Sequence, residues 1–253
     1  MFSCKSVKLA DAEEKERIGE YFQASTIYRK VYTKTPPDKR DLRGFIAFRM
    51  GECNRLINNT PRATSAYMNA LRYKYPDTIV TFRLGEMNQK SGHYNEAIKY
   101  YNEYLKFQPK STLAINGITG SEKADQWRQH PTRYEVRRMD KFNTRYSEFS
   151  PMLYGEKYDQ LYFTSSRALK NKEKSKEKDK ETTTTQTTGK SKEETLSAIT
   201  GQRNNDLFLV KQDENGNWKA PTEIDDAVNT DFDEGTPSFS RDGNTMYYTY
   251  CAQ

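Results

Sequence analysis

Small and large apolar residues recur at a fixed spacing along the first half of the chain. Met50-Gly51 and Leu84-Gly85 lie 34 residues apart, and an alanine follows twelve residues after each glycine. An aromatic residue comes four positions after each alanine, and a proline ends each copy. These residues are Ala63, Tyr67 and Pro76 after Gly51, and Ala97, Tyr101 and Pro109 after Gly85. Small residues let two helices approach closely and large ones fill the groove between them, so the pattern predicts successive helix pairs.

This period and residue order resemble the tetratricopeptide repeat. A partial earlier copy consists of Gly19, Tyr21, Ala24, Tyr28 and Pro36. A short insertion, Lys39 to Arg43, is predicted to separate it from the second copy. The chain departs from the family pattern where tryptophan and tyrosine are usual, at Ala47, Thr81, Asn54 and Asn88. We predict an all-α tetratricopeptide array over residues 7–130, closed by one or two capping helices within Thr112 to Trp127.

The resemblance implies a partner-binding concave face lined by the first helix of each pair. In the second and third copies it would carry Phe45, Phe48, Glu52, Arg55, Phe82, Glu86, Gln89 and Lys90. The alternative is that some of these aromatic residues form the core between repeats.

Strand patterns replace helical ones after Pro131. Tyr158–Thr164 and Asn205–Gln212 are rich in aromatic and β-branched residues, and Trp218 begins another strand after a turn. Glu234–Tyr248 has the form strand, Asp-Gly hairpin turn, strand. The second half is therefore predicted to be all-β.

The last stretch resembles the PD40 β-propeller repeat, a relative of WD40. Its features are the Pro237-Ser238-Phe239-Ser240 string, the Asp-Gly turn and the aromatic strand after it. A second unit would align Phe149-Ser150 with Phe239-Ser240. Without the insertion Lys170 to Glu194, the stretch from Asn143 to Gln253 has room for about two blades. Closure needs about four, so the propeller predicted over residues 131–253 is incomplete. Within it, residues 170–200 are predicted to be a disordered insertion, because Lys170 to Glu194 offers no apolar residue to bury.

Charge and composition narrow the classes of function. The net charge of +6 comes from 41 basic and 35 acidic residues, and much of the excess lies in the lysine-rich insertion. With both signs mixed and no nucleic-acid motif, we predict no nucleic-acid partner. Two histidines, His93 and His130, exclude a histidine-based metal cage, and the three cysteines have no metal-binding spacing. We predict no metal site, no cofactor and no catalytic residue.

Cys4 follows a small residue and precedes a polar segment within the predicted N-terminal tail, residues 1–6. This order resembles the segment directly after the apolar run of a bacterial lipoprotein signal, where the cysteine becomes lipidated. An ordinary thiol is the alternative.

The whole order of parts resembles the PorE-like outer-membrane lipoproteins of the type IX secretion system. Those proteins combine such repeats, a PD40 propeller and an OmpA-like peptidoglycan-binding domain that lies outside this sequence. The resemblance implies a non-enzymatic scaffold on the periplasmic face of the outer membrane, anchored through Cys4. Its partners would be envelope or secretion-complex proteins, with peptidoglycan reached only through the missing domain. Two alternatives stay open: a hydrolytic enzyme with a propeller domain, although no Gly-x-Ser-x-Gly elbow is present, and a cytosolic assembly factor.

Overall fold

The computed structural model describes residues 8–167 and 196–252 and divides the chain into two compact units. The first unit is Met1–Glu135 together with Ala198–Gly201, and the second is Val136–Ser197 together with Gln202–Gln253. Cys4, the tail of residues 1–6 and the segment Lys170 to Glu194 lie outside the described residues.

The helical unit contains seven described helices in which each packs against the next. They are α1 (Leu9–Arg17), α2 (Tyr21–Lys34), α3 (Arg40–Leu56), α4 (Thr60–Arg72), α5 (Ile79–Lys90), α6 (Tyr94–Leu105) and α7 (Thr112–Gln129). The all-α prediction is confirmed here, and the expected cap is the single long helix α7. The predicted insertion Lys39 to Arg43 is instead the start of α3, whose Arg43 guanidinium donates hydrogen bonds to the carbonyl oxygens of Tyr32 and Thr35.

Tyrosine rings packed against glycines hold the helix pairs together. A Cβ atom added at Gly51 would lie 2.6 Å from the ring of Tyr67, and one added at Gly85 would lie 2.6 Å from the ring of Tyr101. The opposite edge of the Tyr101 ring meets Gly117 of α7, where an added Cβ would lie 2.5 Å away. No side chain larger than hydrogen fits at these three positions without displacing a ring. The small and large residues of the repeat therefore act as pairs.

The segment Ala198–Gly201, which includes the last residues of the predicted insertion, belongs to the helical unit. The carbonyl oxygens of Ile199 and Ala198 accept hydrogen bonds of 3.0 and 3.2 Å from the backbone N–H groups of Phe22 and Gln23. The first N–H groups of a helix have no partner within the helix, so this segment satisfies two of them at the start of α2.

The second unit contains six described strands in two antiparallel sheets. The first sheet has the order β1 (Glu148–Tyr154), β2 (Gln160–Ser165), β3 (Asp206–Lys211) and β4 (Thr222–Glu223), and the second pairs β5 (Asp233–Phe239) with β6 (Met246–Cys251). Phe142, Phe163, Phe208 and Val210 form the buried core. The strand expected at Trp218 is only a single bridge to Gln212. The all-β class is confirmed, whereas the propeller stays a prediction.

The hairpins β1–β2 and β5–β6 are two copies of one structure. Each has a bulge in its first strand, and at that bulge Ser150 and Thr236 have left-handed backbone angles, φ 51° and 48°. A proline follows each of them. This match shifts the alignment expected from sequence: Ser150 corresponds to Thr236, and Phe149 corresponds to Gly235 rather than to Phe239. The two hairpins are aligned here by the position of their bulges, which is a feature of the backbone.

Gly85→Ala tests the packing of glycine against tyrosine. The added Cβ would overlap the Tyr101 ring, so we expect the free energy of unfolding to fall by about 1–3 kcal/mol. Gly44→Ala, also within a helix, is the matched control, because its Cβ would make ordinary contacts of 3.4 Å with Tyr73 and Tyr75. We expect this control to gain about 0.5–1 kcal/mol from the helix propensity of alanine. Equal effects in urea unfolding experiments would contradict the packing scheme.

Candidate interaction groove

Arginines on the first helices of successive repeats reach back to glutamates of the preceding repeat. Arg49 on α3 lies 2.8 Å from Glu16 on α1, and Arg83 on α5 lies 3.0 Å from Glu52 on α3. Since Arg49 and Arg83 are 34 residues apart, the repeat places both arginines at the same position of their helices. We call the set Glu16, Arg49, Glu52, Arg55, Arg83 and Glu86 the charge ladder.

The buried tyrosines connect the charge ladder to the core. The hydroxyl groups of Tyr28 and Tyr67 donate hydrogen bonds of 2.7 and 2.6 Å to Glu16 and Glu52. Burial and these carboxylates together raise the pKa of both phenols far above the ordinary value. Tyr101 donates at 2.8 Å to the amide oxygen of Gln89, and burial raises its pKa to about 12. Each ring that packs on a small residue of the core therefore also orients a polar side chain of the first helix.

Glu52 is the most connected member of the ladder. Its carboxylate accepts hydrogen bonds from Arg55 at 2.7 Å, Arg83 at 3.0 Å and the Tyr67 hydroxyl at 2.6 Å. Burial opposes ionisation of this group, but the hydrogen bonds from Arg55 and Tyr67 and the charge of Arg83 outweigh it. The pKa of the Glu52 carboxyl is therefore lower than its ordinary value.

Beside the ladder lies an open pocket of about 620 Å³. Five of the residues expected on the concave face line it, namely Arg55, Phe82, Glu86, Gln89 and Lys90. Met87 and Tyr101 also line it, and Leu113, Asn116 and Gly117 of α7 complete the wall. Sequence reasoning missed this contribution because it treated α7 as a cap. The sequence does indicate that α7 continues the repeat, because Gly117 lies 32 residues after Gly85, close to the repeat period of 34 residues.

The other three expected residues lie elsewhere. Glu52 belongs to the charge ladder, Phe45 packs against the cluster around Ile46, and Phe48 is only 8% exposed. The Phe48 ring stacks on Tyr75 with their centroids 4.7 Å apart. Phe48 therefore fits the alternative interpretation, in which some of the expected aromatic residues form the core between repeats. Phe82 has both roles, since it packs on Tyr101 and Tyr104 and also borders the pocket.

Residues 80–111 match the family model of the tetratricopeptide repeat. The chain contains a tetratricopeptide repeat. The matched residues span α5, α6 and the turn after α6, which supply much of the pocket wall. No curated protein matches the sequence.

Among solved structures, one similar structure is described as "Molecular features of the UNC-45 chaperone critical for binding and folding muscle myosin". The similarity has a TM-score of 0.42 and 16% sequence identity, and it covers 49% of this chain. This chain spans 14% of the length of that structure's chain.

Metal ligands, membrane spans and thiols are the remaining features considered in the described ranges 8–167 and 196–252. Within them no three metal-ligating side chains form a group, and no helix is long and apolar enough to cross a membrane. The thiol of Cys53 is buried in the repeat core, and burial raises its pKa well above the ordinary value.

Glu52→Gln tests the ladder through the pH dependence of stability. A carboxyl with a lowered pKa stabilises the fold above its unfolded-state pKa, and this contribution is lost as the pH falls through the folded-state pKa. At pH 7 we expect the variant to lose about 1.5–3 kcal/mol of unfolding free energy, as for hydrogen bonds to a charged group. Chemical denaturation from pH 7 down to pH 3 should show the difference from the parent protein narrowing.

Glu103→Gln is the control for this experiment, because within the described part of the chain Glu103 pairs with Lys106 alone, on the exposed side of α6. We expect little change in stability at any pH for such a surface pair. A loss in Glu52→Gln that stays constant down to pH 3 would contradict the role given to the ionised carboxylate.

Proposed function

We propose that the pocket beside the charge ladder holds a segment of a partner protein, so that the chain works as a non-enzymatic interaction scaffold. The observation that carries this proposal is Arg55. Its Nε atom is buried and has no hydrogen-bond acceptor among the described residues, although its Nη2 atom lies 2.7 Å from the Glu52 carboxylate. A buried donor without an acceptor is destabilising, and an acceptor brought by a bound segment would satisfy it.

The walls of the pocket indicate the chemistry of this segment. Lys90 and Arg55 supply positive charge, and the one lining carboxylate among the described residues, Glu86, is already paired with Arg83 at 2.7 Å. Gln89 and Asn116 supply amides, and Leu113 supplies an exposed apolar surface. A peptide with a carboxylate next to an apolar side chain would match both kinds of surface. Tetratricopeptide repeats generally mediate binding to other proteins, which also supports the proposal.

The biological setting that we propose is the bacterial envelope. A PorE-like lipoprotein of the type IX secretion system would carry these repeats and PD40-type propeller blades on the periplasmic face of the outer membrane. Acylated Cys4 would be its anchor, and an OmpA-like domain outside this sequence would reach the peptidoglycan. A helical repeat unit that precedes two copies of one bulged hairpin supports this order of parts.

Site-specific photo-crosslinking in the parent organism tests the scaffold proposal. A photoreactive residue in place of Gln89, within the pocket, should capture an envelope protein, whereas the same residue in place of Lys30, exposed on α2, should not. Combining Gln89 crosslinking with Arg55→Ala and Lys90→Ala should lower the yield about tenfold, as expected when central interface contacts are lost. Equal capture from both positions would contradict the pocket as the docking site.

The envelope setting is tested separately by metabolic labelling with an alkyne fatty acid. We expect the label and membrane association in the parent protein and neither in Cys4→Ser. An unlabelled protein in the cytosolic fraction would favour the assembly-factor alternative.

A further inference from the structure

A second, smaller cavity lies among α2, α3 and α4. Its volume is about 170 Å³, and its described lining residues all differ from those of the pocket beside the charge ladder. At about 30 Å³ for each water molecule of the liquid, it has room for roughly five waters. Sites for drug-sized ligands begin at about 300 Å³. This cavity therefore fits a small ion or a single chemical group rather than a peptide segment.

A buried amide borders the cavity. Asn54 on α3 is only 3% exposed, and its Nδ2 atom donates a hydrogen bond of 2.7 Å to the carbonyl oxygen of Met50. This bond determines which end of the amide is the oxygen. The Oδ1 atom is buried and has no hydrogen-bond donor in the part of the chain that the structure describes. A buried acceptor of this kind is destabilising unless a bound group supplies the donor.

Two arginines give the cavity positive charge. Arg29 on α2 and Arg62 on α4 both line it, and no aspartate or glutamate is among its described lining residues. Neither guanidinium forms an ion pair or a hydrogen bond with the residues that the structure describes. The hydroxyl groups of Thr26 and Ser65 are further donors at the wall. The cavity thus combines many donors with one unsatisfied acceptor.

The next repeat shows which of these features the helical fold itself requires. Asn88 keeps the bond to its own helix at 2.7 Å, so the amide belongs to the repeat pattern. The arginines do not belong to it. Aligning the buried tyrosines of successive second helices places Met68 at the position of Arg29, and it places Glu96 at the position of Arg62. Positive charge is therefore particular to this one cavity.

The corresponding space in the next repeat is occupied by a side chain. Tyr100 lies at the position of Ala66, packs against the core cluster and donates through its hydroxyl to the Met68 sulfur at 3.3 Å. Ala66 has only a methyl group there, and it lines the cavity. The small residue and the two arginines thus occur together in the one repeat that has the cavity.

We propose that this cavity binds a protonated phosphate group, either as the free ion or at the end of a phosphate monoester. Arginine pairs strongly with phosphate oxygens, so Arg29 and Arg62 would hold the charged oxygens. Inorganic phosphate keeps at least one proton at neutral pH, and its O–H would donate to Oδ1 of Asn54. Sulfate and carboxylates carry no proton at this pH and would leave that oxygen unsatisfied.

Isothermal titration calorimetry of the full chain at pH 6 and constant ionic strength tests the site. We expect inorganic phosphate to bind about tenfold more tightly than sulfate, the effect of one additional hydrogen bond. Sulfate has the same shape and the higher charge, so charge alone would favour it. O-phosphoserine has a second pKa of about 6 and keeps part of its proton. Tighter binding than phosphate would identify a monoester as the ligand, and weaker binding the free ion.

Variants taken from the next repeat test the individual residues. Arg29→Met and Arg62→Glu introduce side chains that the repeat already accepts, and each should weaken phosphate binding at least tenfold. Asn54→Leu should bind phosphate and sulfate equally. Lys30→Glu makes the same change of charge as Arg62→Glu at an exposed residue that does not line the cavity, and it should bind phosphate as the parent does. Far-ultraviolet circular dichroism confirms that each variant is folded.

The protein with Arg55→Ala and Lys90→Ala separates this site from the pocket of the proposed function. It should bind phosphate as the parent does, and a loss of affinity would assign the anion to the other pocket and overturn the proposal. Three more results would also overturn it: no heat of phosphate binding, equal binding of phosphate and sulfate by the parent, or unchanged binding by Arg62→Glu. The comparison of phosphate with sulfate needs no variant, so it decides the question even if Asn54→Leu does not fold.

Discussion

The ring of Tyr101 occupies the space that side chains at Gly85 and Gly117 would fill, and most of the helical unit depends on contacts of this kind. A flat ring against a glycine sets how closely two helices approach, and it tolerates little change because protein interiors are close-packed. Tyr67 and Gly51 repeat the arrangement one period earlier. Each repeat buries its core only against its neighbours, so the contact between Tyr101 and Gly117 also joins α7 to the array.

The same tyrosines explain why the polar groups of the groove are ordered. Each ring ends in a hydroxyl that emerges among the first helices and donates to Glu16, Glu52 or Gln89. Arg49 and Arg83, one repeat further on, then pair with the two carboxylates. Side chains held in this way lose less conformational freedom when a partner binds, which favours recognition. Packing within the repeats and the chemistry of the proposed docking pocket are thus consequences of one arrangement.

The sequence predicted the helical array well because its steric requirement recurs at a fixed spacing. It also located five pocket residues, since residues at equivalent repeat positions share a face. It did not single out Phe48 as the aromatic residue that belongs to the core, and it did not predict that Leu113 would border the pocket, because both depend on how neighbouring helices pack. In the second unit, the loops within the two hairpins differ in length by one residue and only backbone geometry marks the bulge. The match of Phe149 with Phe239 was therefore wrong, although both hairpins were found.

A double-mutant cycle between Gly85→Ala and Tyr101→Leu tests the central packing claim most directly. If the glycine is required because of the ring, the alanine should be costly in the parent protein and nearly neutral once the shorter, flexible leucine can turn away. The account predicts a coupling energy of at least about 1 kcal/mol from urea unfolding, within the range seen for residues in contact. Additive effects of the two substitutions would show that glycine and ring act independently, and would contradict the account.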